Sequence, residues 1–229
     1  MKLTPDDHAR INAAIAEAES RTSGEVFCIL AHRVSDYRET GIAWTAALSL
    51  VLPALLIPLG FGAHWFDWIP LVGGWRAAHT TAADAVASAL TAYALLQLVV
   101  FLACAALFSI PALRKALTPK GVKRDRVHAE ALQQFRAKGL HLTEGRTGVL
   151  IFASLDDHLV EVVADEGIHG KVSPEVWADA VESLVAHVKQ GHLADGFVAA
   201  VALCGRVLAE HFPPTGENPN EIPDQLVEI

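Results

Sequence analysis

Two stretches of this chain carry no charge at all, Ile42 to Gly62 and Ala85 to Leu113. A helix rises about 1.5 Å per residue and the hydrocarbon core of a bilayer is about 30 Å thick, so about 20 apolar residues are enough to cross it. Both stretches reach that length, and spans over 42–62 and 87–110 are predicted. The flanks favour spans over buried core helices. Trp44, Phe61, Trp65, Phe66, Trp68 and Trp75 gather at the ends of the first stretch and in the short connection, where an aromatic belt would lie. Pro53 and Pro58 would damage a soluble helix, but proline is tolerated in a membrane where neighbours re-satisfy the freed carbonyls. Residues 1–41 carry their own charged, amphipathic pattern, so a cleavable signal peptide is not expected.

The charge distribution sets the expected orientation. The connection 63–84 holds only Arg76 against Asp67 and Asp84, whereas Arg114, Lys115, Lys120, Lys123, Arg124 and Arg126 follow directly after the second span. Such a basic flank stays on the cytoplasmic side, which places both termini in the cytoplasm of a cell with the protein in its inner membrane. It also pins the segment to the membrane surface, making the lipid bilayer the first expected partner. No transporter or channel is indicated, because the spans hold no charged residue for an ion path. With 18 Lys and Arg against 26 Asp and Glu, no clustered basic face suits a nucleic acid. Cys28, Cys104 and Cys204 are odd in number and widely spaced, which suggests neither a disulfide framework nor zinc.

Outside the spans the pattern alternates between helix and strand. Thr4-Pro5-Asp6-Asp7 supplies a capping oxygen, a proline where no N–H is needed, and acids at the positive end of a helix. Ile11, Ala14, Ile15 and Ala18 then form one apolar face, and the helix is expected to stop near Gly24. Glu25–Ala31 and Gly148–Ala153 read as strands buried on both faces. Leu159–Asp165 reads as a third strand, joined to the second by Asp156-Asp157-His158 as an antiparallel hairpin. A helix is predicted from Arg124 to Lys138, ending at Gly139. Another begins at Ser173-Pro174 with Trp177, Val181, Leu184 and Val188 inward, and a last one carries Phe197, Ala200, Val201, Cys204 and Leu208. Val26, Cys28 and Leu30 are expected to share a core with Leu150, Phe152 and Val162. The Pro-, Asn- and Glu-rich segment 213–224 is expected to be poorly ordered unless docked.

This order of elements, with Leu3-Thr4 before the first helix, Ser23-Gly24-Glu25-Val26, Arg146-Thr147-Gly148-Val149-Leu150-Ile151, and Val160–Ala164 running into Gly167-Ile168-His169-Gly170, resembles the TPM domain. That family is named after a thylakoid acid phosphatase, a photosystem II repair protein and a modulator of acetylcholine receptors. The resemblance implies a small α/β/α sandwich built from residues 1–40 and 114–212, interrupted by the hairpin 41–113 and followed by a tail over 213–229. It also implies a bacterial, membrane-anchored branch, because most relatives have the domain intact. Where relatives read Gly, aromatic, Gly, this chain reads Asp165-Glu166-Gly167, and their helix-start acid aligns near Pro174 or Glu175.

Asp165, Glu166 and Glu175 could converge as hard oxygen ligands for Ca2+ or Mg2+, with Asp125 and Glu130 approaching from a neighbouring helix. No other cofactor is implied. That cluster would serve a divalent-metal-dependent phosphatase. Turn and helix-start roles explain the same acids without a metal and are the preferred reading, since surface acids commonly fill such positions. His141, His158 and His169 lie at strand or loop ends without ligand spacing. The favoured expectation is therefore a non-enzymatic module that binds or assists other membrane proteins. A metal-dependent phosphatase is the alternative.

Overall fold

A computed structural model of the protein describes residues 3–56, 81–214 and 219–229. The chain divides into two units, Met1–Ser35 with Pro119–Ile229, and Asp36–Thr118.

The first unit begins with α1, Pro5–Glu19, whose start is fixed by a reciprocal cap. The Asp7 amide donates to Thr4 Oγ1 at 3.2 Å, and the Thr4 amide donates to Asp7 Oδ2 at 2.9 Å. These bonds pull the Asp7 carboxyl below its ordinary pKa. The helix ends at Glu19, short of Gly24, because Ser20 closes it by donating its hydroxyl to the Glu17 carbonyl. β1, Glu25–Ala31, is buried along its whole length. α5, Lys120–Ala137, starts four residues before the predicted Arg124 and ends at Gly139, whose φ of 76° is the left-handed stop glycine tolerates. β2, Gly148–Ser154, and β3, Leu159–Ala164, form the expected antiparallel pair. A four-residue helix, α6, spans Glu166–His169, and a 3-10 turn at Pro174–Trp177 leads into α7, Ala178–Gln190. α8, Leu193–His211, follows, and a short strand β4, Leu226–Glu228, comes last.

The sheet order is β3-β2-β1-β4, with β1 parallel to both its neighbours. Helices α1, α7 and α8 cover one face, where Ile11, Ile15, Val26, Cys28, Leu30, Leu184, Phe197 and Leu208 pack together. Helix α5 covers the other, with Phe27, Ile29, Val127, Phe135, Leu150 and Phe152. This is the α/β/α sandwich expected from the sequence.

One core pairing differs. Val26 lies opposite Val149 in the parallel ladder, so Val26, Cys28 and Leu30 share their face with Val149, Ile151 and Ala153. Val162 joins them as expected, but Leu150 and Phe152 point to the α5 side with Phe27. The expected grouping was one residue out of register, and a shift of one reverses the face of a side chain in a strand. The tail is docked. Ile222 is buried beside α5, the Leu226 amide donates to Asn12 at 2.9 Å, and β4 completes the β1 edge.

The second unit contains α2, Arg38–Leu56, α3, Ala82–Phe108, and α4, Pro111–Leu117. α2 buries Gly41, Thr45, Ser49 and Pro53, a stripe of four-residue spacing, and its hydroxyls are satisfied within the helix, Thr45 Oγ1 donating to the Gly41 carbonyl at 2.8 Å. α3 packs on it with Ala92, Leu96, Cys104 and Phe108 buried. Outward lie Ile42, Leu50, Val51, Leu55, Leu90, Leu98, Val99 and Leu102. Only 22% and 17% of the two apolar windows are buried, the reverse of a core helix in a soluble protein. Pro58, Phe61, Trp65, Phe66, Trp68 and Trp75, the end of the first predicted span and the connection as far as residue 80 fall outside the described residues.

Candidate functional site

The predicted acidic cluster sits where β3 ends. Asp165 caps α6 by accepting the Glu166 amide at 2.7 Å, and is almost wholly buried. Arg146 reaches both acids: Nε donates to Asp165 Oδ2 at 3.1 Å, one terminal nitrogen donates to Asp165 Oδ1 at 3.3 Å, and the same nitrogen donates to Glu166 Oε2 at 3.1 Å. Arg146 itself has a left-handed φ of 51°. Gly167 permits the approach, because a Cβ there would lie 2.6 Å from the carbonyl oxygens of Gly145 and Arg146. The hydrogen bond to Asp165, reinforced by the charge, pushes the Arg146 guanidinium above its usual pKa. The carboxylate charge is thus compensated by a bidentate fork.

Glu175 is exposed in the 3-10 turn, and hydrogen bonds from its own amide and the Ser173 hydroxyl hold its carboxyl below the usual range. Asp125 lies beside His158 and Leu159, at the end of β3 opposite Asp165, because α5 runs antiparallel to β2. Glu130 accepts from Gln134 on its own helix at 2.8 Å. Among the described residues, no three His, Cys, Asp or Glu side chains gather in a way that could hold a metal ion. His169 follows the Asp165 end of β3, whereas His158 precedes the other end, so the sheet separates them.

The basic flank falls on two helices, with Arg114 and Lys115 in α4 and Lys120, Lys123, Arg124 and Arg126 in α5. The first turn of α5 has no acid, and Pro119 gives it no capping side chain. Cations at that positive end do not stabilise the helix, so helix propensity does not account for their positions.

Two arrangements were not anticipated from the sequence. Glu228 on β4 accepts from His8 and His32, each at 2.7 Å, joining α1, the end of β1 and the tail. Burial would raise this carboxyl, but the two imidazoles outweigh it and hold Glu228 below its usual pKa. Glu19, at the other end of β1, accepts the Val26 amide at 2.7 Å, and burial with neighbouring Glu25 and Asp224 pushes it up to about 9. Cys28 and Cys204 are both buried as free thiols, and burial raises each, Cys204 to about 12. Such thiols are packing groups rather than nucleophiles.

A crevice of about 970 Å³ opens where β1 and β2 end, lined by His32, Arg33, Asp156, His158 and Lys189. The Asp156 amide donates to the His32 carbonyl at 3.3 Å, and Arg33 Nε donates to Asp156 Oδ2 at 3.1 Å, so the rim continues the ladder of the two strands.

Residues 117–207 match the family model of the TPM domain. Among solved structures it is similar to the NMR structure of BA42 protein from the psychrophilic bacteria Bizionia argentinensis sp. nov., with 17% sequence identity and a TM-score of 0.55 over 100% of this chain and 96% of that one. Identity at this level speaks to the fold alone. No curated protein sequence matches the chain.

Proposed function

We propose that this is an integral protein of the cell (inner) membrane, held by α2 and α3 with both termini in the cytoplasm, whose TPM domain is a non-enzymatic module that binds or assists other membrane proteins. The anchoring rests on the outward apolar surface of both helices, which water would penalise and lipid would accept. The orientation rests on the basic flank from Arg114 to Arg126. The non-enzymatic reading rests on one observation, the fork of Arg146 across Asp165 and Glu166. A cation taking those oxygens would have to displace a guanidinium that already compensates them, and Glu175 is engaged elsewhere.

The alternative is a divalent-metal-dependent phosphatase acting through Asp165, Glu166 and Glu175. The two are separated by assaying the full chain in detergent for Mg2+- or Ca2+-dependent hydrolysis of a phosphomonoester, beside Asp165→Asn with Glu166→Gln. No rate above background is expected in either. A metal-dependent rate that vanishes in the double variant would reverse the ranking. Affinity capture from detergent extract, comparing the full chain with one lacking the TPM domain, then identifies the partner. Orientation is tested by a reporter fused after Ile229, expected to be active only in the cytoplasm, and one inserted near Gly73, expected outside.

A further inference from the structure

Six of the chain's 18 Lys and Arg fall between Arg114 and Arg126, with Asp125 the one acid among them. Arg114 and Lys115 lie in α4 of the hairpin unit, next to the second span, where a topology signal is expected. The other four, Lys120, Lys123, Arg124 and Arg126, belong to the sandwich unit and occupy the first two turns of α5. Outside that short segment the sandwich unit holds 10 Lys and Arg against 21 Asp and Glu. It is an acidic body with one cationic corner.

The fold itself does not account for that corner. Four cations at the positive pole of a helix repel both the pole and one another, and neither an acid in the first turn nor a capping side chain from Pro119 offsets them. Among the described residues, Lys120, Lys123 and Arg124 form no ion pair. These three stand at i, i+3 and i+4, with Val127 at i+7, so all four share one face. That face packs on the sheet from Val127 through Ala131 to Phe135, and it turns from apolar to cationic where α5 runs past its core. Lys120, Arg124 and Arg126 are exposed and Lys123 is half-buried. Arg124 and Asp125 line a crevice with His158 and Leu159, which puts the corner beside the β2–β3 turn, whereas Asp165 and Glu166 follow the other end of β3.

We infer that the start of α5 is a docking surface for anionic phospholipid headgroups, and that it turns the β2–β3 end of the sandwich toward the bilayer. The inference rests on the membrane reading, which brings the corner within reach, since Lys120 follows the last residue of α3 by 12 positions. A cytoplasmic leaflet has a negative surface potential, and clusters of about 4–8 Lys and Arg next to a span bind it, each cation adding about fivefold in affinity. The acidic remainder of the unit is repelled by the same potential. Attraction at one corner and repulsion elsewhere favour one orientation, in which the Asp165 and Glu166 end faces away from lipid. A topology signal acts once, during insertion; a docking surface acts for as long as lipid composition and salt allow.

The test labels the full chain with an environment-sensitive fluorophore at Gly121→Cys or at Gly170→Cys, two exposed positions where a Cβ meets nothing within 4 Å. Gly121 lies in the cationic corner, and Gly170 follows α6 beyond the other end of β3. The native cysteines are buried and escape the label. Each labelled chain, in maltoside micelles at fixed ionic strength, is titrated with dioctanoyl phosphatidylglycerol and separately with dioctanoyl phosphatidylcholine. A saturable shift is expected at Gly121→Cys with phosphatidylglycerol alone, and none at Gly170→Cys. Combining Lys120→Gln, Lys123→Gln, Arg124→Gln and Arg126→Gln, with Arg114 and Lys115 kept, should weaken the affinity by about tenfold or more. Thermal melting checks that this variant is folded; if it is not, Lys120→Gln with Arg124→Gln, both exposed, should weaken it by about fivefold or more. No saturable shift, equal shifts with the two lipids, equal shifts at the two labels, or unchanged affinity in a folded variant overturns the inference. Flotation with phosphatidylcholine liposomes tests the anchoring separately. A chain that stays in the aqueous fraction overturns the membrane reading and this inference with it, whereas one that floats without the lipid selectivity overturns the docking surface alone.

Discussion

In the sandwich unit, β1 hides all seven of its residues and the charged groups lie around the rim; in the hairpin unit, Leu50, Leu98, Val99 and Leu102 point outward while Gly41, Thr45 and Ser49 are buried. Both units use much the same apolar side chains. They differ in which surface is covered, and so in the solvent each surface suits. Water drives apolar area inward, whereas lipid removes that drive and leaves close packing of small residues to hold helices together.

Truncating a core side chain probes the contrast most strongly. Phe152→Ala should destabilise the sandwich by about 3–5 kcal/mol, since Phe152 is fully buried, while Leu102→Ala in detergent should stay within about 0.5 kcal/mol. Equal losses in denaturant melts would erase the distinction. A charge sharpens it from the other side. Val99→Lys should cost about 2.5–3.5 kcal/mol of membrane insertion, read as accessibility of an engineered cysteine to a membrane-impermeant reagent, because the exposed face would have to carry an ammonium into hydrocarbon. If the face is in water, the substitution has no effect on that readout.

Smaller effects come from the two buried or clasped acids. Glu19 has its pKa raised by burial from 4.5 to about 9. The folded state therefore holds its proton more tightly than the unfolded one, and this stability is full below about pH 4.5 and lost as pH rises towards 9. Glu19→Gln should flatten the fall in Tm between pH 6 and 9, and an unchanged slope would mean the group is not protonated when folded. Glu228 works in the opposite sense, since its lowered pKa gives stability present above the unfolded value and lost as pH falls through the folded one. The smallest effect is at the cap of α1, where Thr4→Ala should cost about 1 kcal/mol and Thr4→Ser much less, measured by thermal melting.

Much of the fold was legible because local patterns set it. The Thr4 cap, the two apolar strands, the acidic hairpin turn and Gly139 each follow from near neighbours in sequence, and the TPM resemblance supplied their order. Register was not legible. Whether Phe152 faces the α5 side depends on which residue of β1 it meets, a contact across more than a hundred residues of intervening chain. β4 was hidden for a related reason, since Leu226-Val227-Glu228 is too short to read as a strand until β1 offers it an edge. The candidate site fared similarly. The acids Asp165 and Glu166 stand out in the sequence, but their partner Arg146 is nineteen positions earlier and becomes one only when the Gly145 loop lies over Gly167. His32, His158 and Lys189 share no motif, and the topology alone brings them to one crevice.

The sheet order also carries a timing consequence. β1 is made early, but both strands that flank it, β2 and β4, lie beyond the hairpin, β4 beginning 195 residues after the end of β1. At about 5–20 residues per second, β1 waits roughly 10–40 s for its last neighbour. For that interval Glu25-Val26-Phe27-Cys28-Ile29-Leu30-Ala31 is an apolar segment with two open edges, followed eleven residues later by the uncharged stretch that begins at Ile42. A ribosome pausing late in the message would lengthen the exposure, and a chaperone acting on nascent chains would have this heptad as its natural client.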